Sequence, residues 1–182
     1  MRAPSADGTM LIRPVLPADA ARICEIYNHY VTKTIVTFEE QAVSVGDMRT
    51  RIAAVAERFP WLVLERNGEI AGFAYAAPWK ARIGYRFSVE SSIYLAPECV
   101  GRGFGPALYG ALLEALPPLG IHCVIGGAAL PNPGSVALHE KLGFSQIAHF
   151  RQVGRKFDRW IDVGYWERIL STPAHSNATQ CE

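Results

Sequence analysis

The spacing of apolar residues predicts a strand over 10–15, followed by two helices. Behind Pro17, apolar side chains recur at helical intervals and give the first helix one buried face. These side chains are Ile23, Ile26, Tyr27 and Tyr30. Ser44 and Asp47 match a capping box, so the second helix is predicted to begin there.

Strands are predicted for the middle of the chain. Apolar runs over 61–65 and 70–76 flank Asn67-Gly68, a dipeptide typical of two-residue β-hairpin turns. A third run covers 87–95 and alternates between two faces. Its odd-numbered face is mostly apolar, whereas its even-numbered face carries Glu90, Ser92 and Tyr94.

The remainder of the chain alternates helices with strands. Helices are predicted over 106–116 and 133–142, and strands over 121–128, 144–153 and 161–169. The complete order is strand, two helices, three strands, helix, strand, helix and two strands, which predicts a mixed α/β fold with helices around one sheet. We expect one domain over 10–170, a loose leader over 1–9 and a disordered polar tail over 171–182.

Charge and composition exclude several classes of function. The chain has 182 residues and a net charge of +1, so it lacks the basic surface of a nucleic-acid-binding protein. It has neither an apolar run long enough to span a membrane nor an apolar leader segment. The four cysteines form no C-x-x-C pair and the five histidines show no metal-ligand spacing. These features predict a cytoplasmic protein with reduced thiols and no metal site.

Glu90 is the residue whose position most needs a chemical explanation. Acidic side chains are seldom buried in a sheet without a partner or a task. A structural ion pair with Arg86 is one explanation. Catalysis by the carboxylate is the other, because perturbed acids cluster at functional sites.

A glycine-rich loop follows that strand and has the properties of an anion site. Glycines let the backbone approach a ligand closely, and the next helix adds its positive end, which suits a pyrophosphate. A dinucleotide fingerprint fails because Leu108 stands at its third glycine, and a Walker loop fails because Ala111 follows Gly110. A tight turn without a ligand is the alternative. The loop residues are Val100, Gly101, Arg102, Gly103, Phe104, Gly105, Pro106 and Ala107.

This loop resembles the CoA-binding motif of the GNAT N-acetyltransferase superfamily. Gly103 and Gly105 match the glycines of that motif. Val100 stands where the family has Arg or Gln, which predicts weaker contacts to CoA rather than loss of binding. By the same resemblance, Ile93, Tyr94 and Leu95 at the end of the preceding strand contact the cofactor, acetyl-CoA.

A second motif, from Asn132 to Phe144, resembles a later segment of the same family. The resemblance implies that Asn132 binds the pantetheine arm and that Ser135 lies close to the cofactor. His139 stands where most of the family has a Tyr that protonates the departing CoA thiolate, and it is expected to take that role. The structural alternatives are helix capping by Asn132 and Ser135 and a surface position for His139.

The resemblance is more specific to phosphinothricin acetyltransferases and the related methionine sulfoximine and sulfone acetyltransferases. It covers about residues 10–170 and is carried by segments 59–63, 74–82 and 89–94, with further matches over 26–30, 153–160 and 162–166. It implies a GNAT-like mixed, mostly antiparallel central sheet flanked by helices. It also implies a homodimer that acetylates the amine of a small, amino-acid-like molecule, with Glu90 as general base.

The expected chemistry is direct attack of the amine on the thioester, without a covalent enzyme intermediate. Partial burial would raise the pKa of Glu90 and make it a better base. A backbone N–H near Tyr94 or Leu95 would stabilise the oxyanion. For the substrate's acidic group, Lys80 and Arg82 are the candidate clamp, with a solvated basic loop as the alternative and Lys156 as a further candidate. By resemblance, Phe38 and Tyr85 wall the pocket.

Two other classes of function remain open at this stage. One is acetylation of protein N-termini or lysines on the same fold, which would need an open groove. The other is a non-catalytic CoA-binding module, against which Glu90 and His139 argue together. The sequence leaves the physiological substrate undetermined.

Overall fold

Residues 9–170 are described by the structure, a computed structural model. The helices are α1 (Ala20–Lys33), α2 (Val45–Ala56), α3 (Phe104–Ala115) and α4 (Pro133–Lys141). The strands are β1 (Met10–Pro14), β2 (Trp61–Arg66), β3 (Glu69–Pro78), β4 (Ser88–Leu95), β5 (Cys123–Leu130), β6 (Ser145–Lys156) and β7 (Arg159–Ile169). Their order confirms the predicted one. The expectations for the leader and the tail fall on residues 1–8 and 171–182, outside the described part.

One seven-stranded sheet has the order β1-β2-β3-β4-β5-β7-β6. Neighbouring strands are antiparallel except for β4 and β5, which confirms the mixed, mostly antiparallel sheet. The parallel pairing joins only Ser88–Ser91 to Cys123–Gly126. Beyond these residues β4 continues to Leu95 and β5 to Leu130, so the two strands diverge and open a wedge in the middle of the sheet.

Both faces of the sheet are covered, which explains why β3 is almost continuously buried. On one face, the helices α1 and α2 contribute Ile23, Ile26, Met48 and Ile52 to a buried cluster. On the other, α3 contributes Leu108 and Leu112 to a second cluster that includes Trp166 of β7. Each fully buried side chain of this size stabilises the fold by roughly 1.5–3 kcal/mol.

The predicted start of α2 is confirmed at Ser44. The Ser44 hydroxyl accepts a hydrogen bond from the Asp47 N–H at 3.1 Å, which satisfies one of the free amides of the first turn. The same hydroxyl donates to the Asp47 carboxylate at 2.7 Å. The hairpin at Asn67-Gly68 is also confirmed, with both residues in the left-handed region at φ 54° and 84°.

A bulge in β6 was not predicted. The pairing of β6 with β7 shifts between Phe150 and Gly154, and Gln152 adopts φ 51°. The Gln152 N–H leaves the ladder and donates to the Asp162 carboxylate at 2.8 Å. Bulges bend a strand and redirect its side chains. Here the bend directs the last residues of β6 toward the wedge between β4 and β5.

Candidate active site

Three spaces follow one another along the wedge. A cavity of about 490 Å³ lies beside the glycine loop, and we call it the glycine-loop cavity. A second cavity, of about 650 Å³, is lined by Glu90 and is called the Glu90 cavity. A narrow space of about 50 Å³ lies between them and shares residues with each. Val36 lines all three spaces, so a ligand in one cavity can approach a ligand in the other.

The glycine-loop cavity has the geometry of an anion site. Gly101 and Gly103 adopt φ 77° and 82°, a conformation that L side chains rarely take. Gly103 is the N-cap of α3, so the free N–H groups and positive end of this helix lie at the cavity. A pyrophosphate fits this donor set. Nine predicted cofactor residues line the cavity: Ile93, Leu95, Val100, Gly101, Gly103, Gly105, Pro106, Asn132 and Ser135.

The other predicted cofactor residues lie elsewhere. Tyr94 lines the Glu90 cavity and the narrow space. Arg102, Phe104 and Ala107 do not line the glycine-loop cavity. Phe104 packs against the core beneath α3, with the Arg66 guanidinium 5.3 Å from its ring centroid. Helical geometry explains this for Phe104 and Ala107, because one turn of α3 directs some side chains to the cavity and others to the sheet.

Glu90 faces its cavity from β4, together with Ser92 and Tyr94. Burial raises the pKa of the Glu90 carboxyl, and the positive charge of Lys80 partly opposes this rise. Arg86 does not pair with Glu90 among the described residues; its guanidinium donates to Ile83 O at 3.2 Å and lies over the Phe87 ring. The structural explanation for Glu90 therefore has no support in the geometry.

Gly127 of β5 lies against the Tyr165 ring and beside the Glu90 carboxylate. A Cβ at this position would lie 3.5 Å from Glu90 Oε1 and 3.1 Å from Tyr165 Cε1. Tyr165 stands edge-on to the rings of Trp79 and Phe150 and lines the cavity next to Glu90. Burial, with a smaller contribution from the Glu90 charge, raises the pKa of the Tyr165 hydroxyl.

His139 is not a surface residue, since only 3% of it is exposed. Its ring stacks on Trp166 and meets Tyr109 and Phe144 edge-on. Nδ1 lies 2.8 Å from the Ser135 carbonyl oxygen, which can only accept, so Nδ1 carries a proton. Burial lowers the pKa of the imidazole, and the ring lines the narrow space between the cavities. The ring is therefore within reach of a group bound there.

Asn132 and Ser135 combine a structural position with a place at the cavities. Asn132 is the N-cap of α4, and its Oδ1 accepts from the Ser135 N–H at 3.1 Å, as the capping alternative predicted. Both residues also line the glycine-loop cavity and the narrow space. Capping and ligand binding are therefore compatible at these two positions.

Backbone N–H groups at the end of β4 also face the wedge. The Ala96 N–H donates to Ala71 O of β3 at 2.8 Å. Successive residues of a strand direct their N–H groups to opposite sides, so the Tyr94 N–H points toward β3 and the Leu95 N–H points toward the wedge. Leu95 O points the same way and accepts from the Tyr30 hydroxyl at 2.6 Å. Of the two residues predicted for the oxyanion, Leu95 has the suitable orientation.

The predicted substrate residues divide into two groups. Phe38 lines the Glu90 cavity, whereas Lys80, Arg82 and Tyr85 do not. Lys80 nevertheless lies close enough to influence the pKa of Glu90, and its Nζ is 4.4 Å from the Trp79 ring centroid. Lys156, the further candidate, is 1% exposed and donates to Thr37 O at 2.6 Å instead of facing the cavity.

Several lining residues were missed in the sequence. Arg155 is the cation among those that line the Glu90 cavity, and it pairs with Asp158 at 3.0 Å. Val36 and Thr37 were missed because the segment joining α1 to α2 has no periodicity. The resemblance over 153–160 and 162–166 was a signal for Val153, Gly154, Val163 and Tyr165, whereas Phe150 lies outside the matching segments.

Two negative findings concern the described residues alone. No helix within 9–170 is both long and apolar enough to cross a membrane. In the same range, no group of three or more His, Cys, Asp and Glu side chains is arranged to hold a metal ion.

Comparison with known proteins identifies the family. The chain is 39% identical over 163 residues to the phosphinothricin N-acetyltransferase of Streptomyces viridochromogenes, covering 90% of this chain and 89% of the relative. It is 36% identical over 173 residues to the L-methionine sulfoximine/L-methionine sulfone acetyltransferase of Salmonella typhimurium, covering 93% and 99%.

A solved structure shares the fold. It is a GNAT superfamily phosphinothricin acetyltransferase from Sinorhizobium meliloti in complex with acetyl-CoA, and it matches with a TM-score of 0.87 at 34% identity. The match covers 94% of this chain and 92% of that one. The profile of the acetyltransferase (GNAT) domain matches residues 12–164. The chain therefore belongs to the GNAT acetyltransferase family.

Proposed function

We propose that this protein transfers an acetyl group from acetyl-CoA to the amine of a small, amino-acid-like molecule of the phosphinothricin or methionine sulfoximine type. One observation carries the proposal. A carboxylate with a raised pKa faces a cavity that joins, through a narrow space, a second cavity built for a pyrophosphate. The names of the relatives support the class of substrate.

In the proposed reaction, Glu90 takes a proton from the substrate ammonium. The freed amine attacks the thioester carbonyl, so that a C–N bond forms and the carbonyl becomes an oxyanion. The Leu95 N–H, which points into the wedge, is the candidate donor to that oxyanion. The nitrogen of the adduct then loses its second proton to solvent, the C–S bond breaks, and the CoA thiolate leaves the neutral amide.

His139 is proposed to protonate the thiolate. Because Nδ1–H already donates to Ser135 O, the transferable proton must sit on Nε2 of the imidazolium. Burial makes this imidazolium rarer but also a stronger acid, since a lowered pKa weakens its hold on the proton.

Three cationic side chains are proposed to bind the substrate's acidic group. Arg155 lines the cavity directly, and Lys80 lies near Glu90. Arg82 is exposed at the start of the short helical turn 83–85 and would need to move toward the cavity to take part. An arginine suits a carboxylate or phosphinate because its planar fork makes two parallel hydrogen bonds.

We also propose that the enzyme is a cytoplasmic homodimer. Cys24, Cys99 and Cys123 are free thiols, which suits a reducing compartment. Large apolar side chains are exposed on β6 and β7, at the edge of the sheet beside the Glu90 cavity: Ile147, Phe150, Val153 and Trp160. Exposed apolar surface of this kind is typical of a protein interface.

The experiment that tests the function is a coupled thiol-release assay with acetyl-CoA. Phosphinothricin, methionine sulfoximine, methionine sulfone and the common amino acids are the acceptors, and peptides with a free N-terminus or lysine represent protein acetylation. Turnover that favours the small acceptors supports the proposal. Faster turnover of the peptides would favour protein acetylation, and no turnover with any acceptor would favour a binding module.

A further inference from the structure

We propose that Lys156 is a positioning residue for the acceptor, because its buried ammonium holds one wall of the Glu90 cavity in place. This inference rests on the proposed function. The wall consists of Val36, Thr37 and Phe38, in the segment between α1 and α2, and we call it the acceptor wall. Lys156 is distant from this segment in the sequence, because it is the last residue of β6.

The contact between Lys156 and the wall is short and buried. Nζ donates to Thr37 O at 2.6 Å and approaches Tyr30 O at 3.5 Å. Only 1% of Lys156 is exposed. None of the ion pairs within residues 9–170 includes it, and the acids that influence it, Glu39 and Glu40, act only through space.

Burying an ammonium in this way is unfavourable. Lysine is almost never fully buried unless it is paired, because the charge loses its hydration. Burial accordingly lowers the pKa of Lys156. An apolar side chain would fill the same space without that penalty. The charge is therefore explained by what it binds: the Thr37 carbonyl in the middle of the acceptor wall at short range, with Tyr30 O at 3.5 Å and the Phe157 ring centroid at 5.2 Å.

A second contact from β6 fixes the neighbouring residue of the wall. The Phe38 ring lies directly over Gly154, where an added Cβ would clash with Phe38 Cε1. Gly154 and Lys156 thus hold Phe38 and Thr37 at adjacent points. Lys156 itself is not among the residues that line the Glu90 cavity, so it does not contact a bound acceptor directly.

The other side of the segment is held independently. The Glu39 carboxylate accepts from Tyr27 at 3.0 Å and from Arg51 at 2.6 Å. Removing the Lys156 ammonium should therefore loosen the acceptor wall without unfolding the segment. The anion site of the glycine-loop cavity should keep its geometry, because its glycines and the N-terminus of α3 lie apart from the wall, of which only Val36 also lines this cavity.

The test compares Lys156→Met with Arg159→Met, which removes an exposed cation from the same hairpin. Lys156→Met should raise the KM for the acceptor about ten-fold, in line with loss of a charge-assisted hydrogen bond. Its kcat and its affinity for acetyl-CoA should change by less than about two-fold. Lys156→Arg, which keeps a donor, should recover part of the loss, and Arg159→Met should match wild type.

Amide hydrogen exchange supplies a readout that does not need activity. Residues 36–38 should exchange faster in Lys156→Met, while exchange in α3 and α4 stays unchanged. If Lys156→Met does not fold, Lys156→Gln, which removes the charge and keeps a polar end, should give the same selective rise in acceptor KM and the same local exchange.

Three results would overturn the inference. They are an unchanged acceptor KM, an equal loss for acetyl-CoA and acceptor, or unaltered exchange at 36–38. A wild-type protein that acetylates no acceptor would refute the proposed function instead, and the exchange comparison would still decide whether Lys156 holds the wall.

Discussion

Glu90 lies on an internal strand and faces a cavity, it takes part in none of the ion pairs within residues 9–170, and its carboxyl has a raised pKa. Glu90→Gln keeps the size of the side chain and removes its basicity. We expect kcat to fall by roughly 10²–10⁴ at neutral pH, the usual contribution of a general base, with little change in acetyl-CoA affinity. Glu57→Gln, on the surface after α2, is the control.

In wild type, kcat/KM should rise with pH through a titration above the ordinary glutamate range, because the base works only when deprotonated. This rise of kcat/KM with pH should be absent in Glu90→Gln. Near-normal turnover by that variant would assign the proton to another group.

Arg155 and Arg82 are alternative candidates for binding the substrate's acidic group. Arg155 lines the Glu90 cavity and Arg82 does not, so Arg155→Ala should lower kcat/KM for phosphinothricin more than Arg82→Ala does. The loss of one charge-assisted hydrogen bond corresponds to about ten- to a hundred-fold. A neutral amine should lose far less with either variant. If Arg82→Ala has the larger, substrate-selective effect, the loop over 79–85 closes onto the acceptor in the working enzyme.

At the scale of elements, the glycine loop and α3 form one unit. Gly103→Val places a β-branched side chain at φ 82°, and nothing in the protein lies within 4 Å of the new Cβ. The side chain would therefore enter the space for the pyrophosphate rather than the core. Gly120→Val is a close control, because Gly120 has φ 77° and equally open surroundings but lies outside the cavities.

Scanning calorimetry should show comparable stability for both glycine variants. Titration calorimetry should show that Gly103→Val alone no longer binds acetyl-CoA. Unchanged affinity in a folded Gly103→Val protein would remove the loop from the binding site.

Local signals explain which elements could be predicted from the sequence. Asn67-Gly68 has a backbone preference of its own, so its hairpin could be predicted. The turn at Phe157-Asp158 has φ 50° and 57° without a glycine, and no short-range pattern indicates it. The acceptor wall depends on a hydrogen bond between Lys156 and Thr37, 119 residues apart, so only the folded chain reveals it.

At the scale of the whole molecule, β6 is an edge strand with exposed apolar side chains. Edge strands of this kind are usually covered, so we expect a dimer at micromolar concentration in sedimentation experiments. Ile147→Glu or Trp160→Glu should shift the equilibrium toward monomer. Leu119→Glu changes an equally exposed apolar residue at a distance from β6 and should leave the dimer intact. A wild-type monomer would contradict the prediction.

The aromatic surroundings of His139 also affect acid tolerance. Because burial lowers the pKa of this imidazole, the unfolded chain binds the proton more readily than the folded one. Stability should therefore begin to fall as the pH drops below the ordinary histidine value of about 6.5, before the carboxylates titrate. Urea unfolding at a series of pH values would measure this slope, and His139→Phe should flatten it between pH 7 and 5 even if it lowers stability overall. An unchanged slope would mean that the imidazole has the same pKa in the folded and the unfolded chain. If the slope does flatten, the His139 imidazole that is proposed to serve the reaction also sets the lowest pH at which the enzyme stays folded.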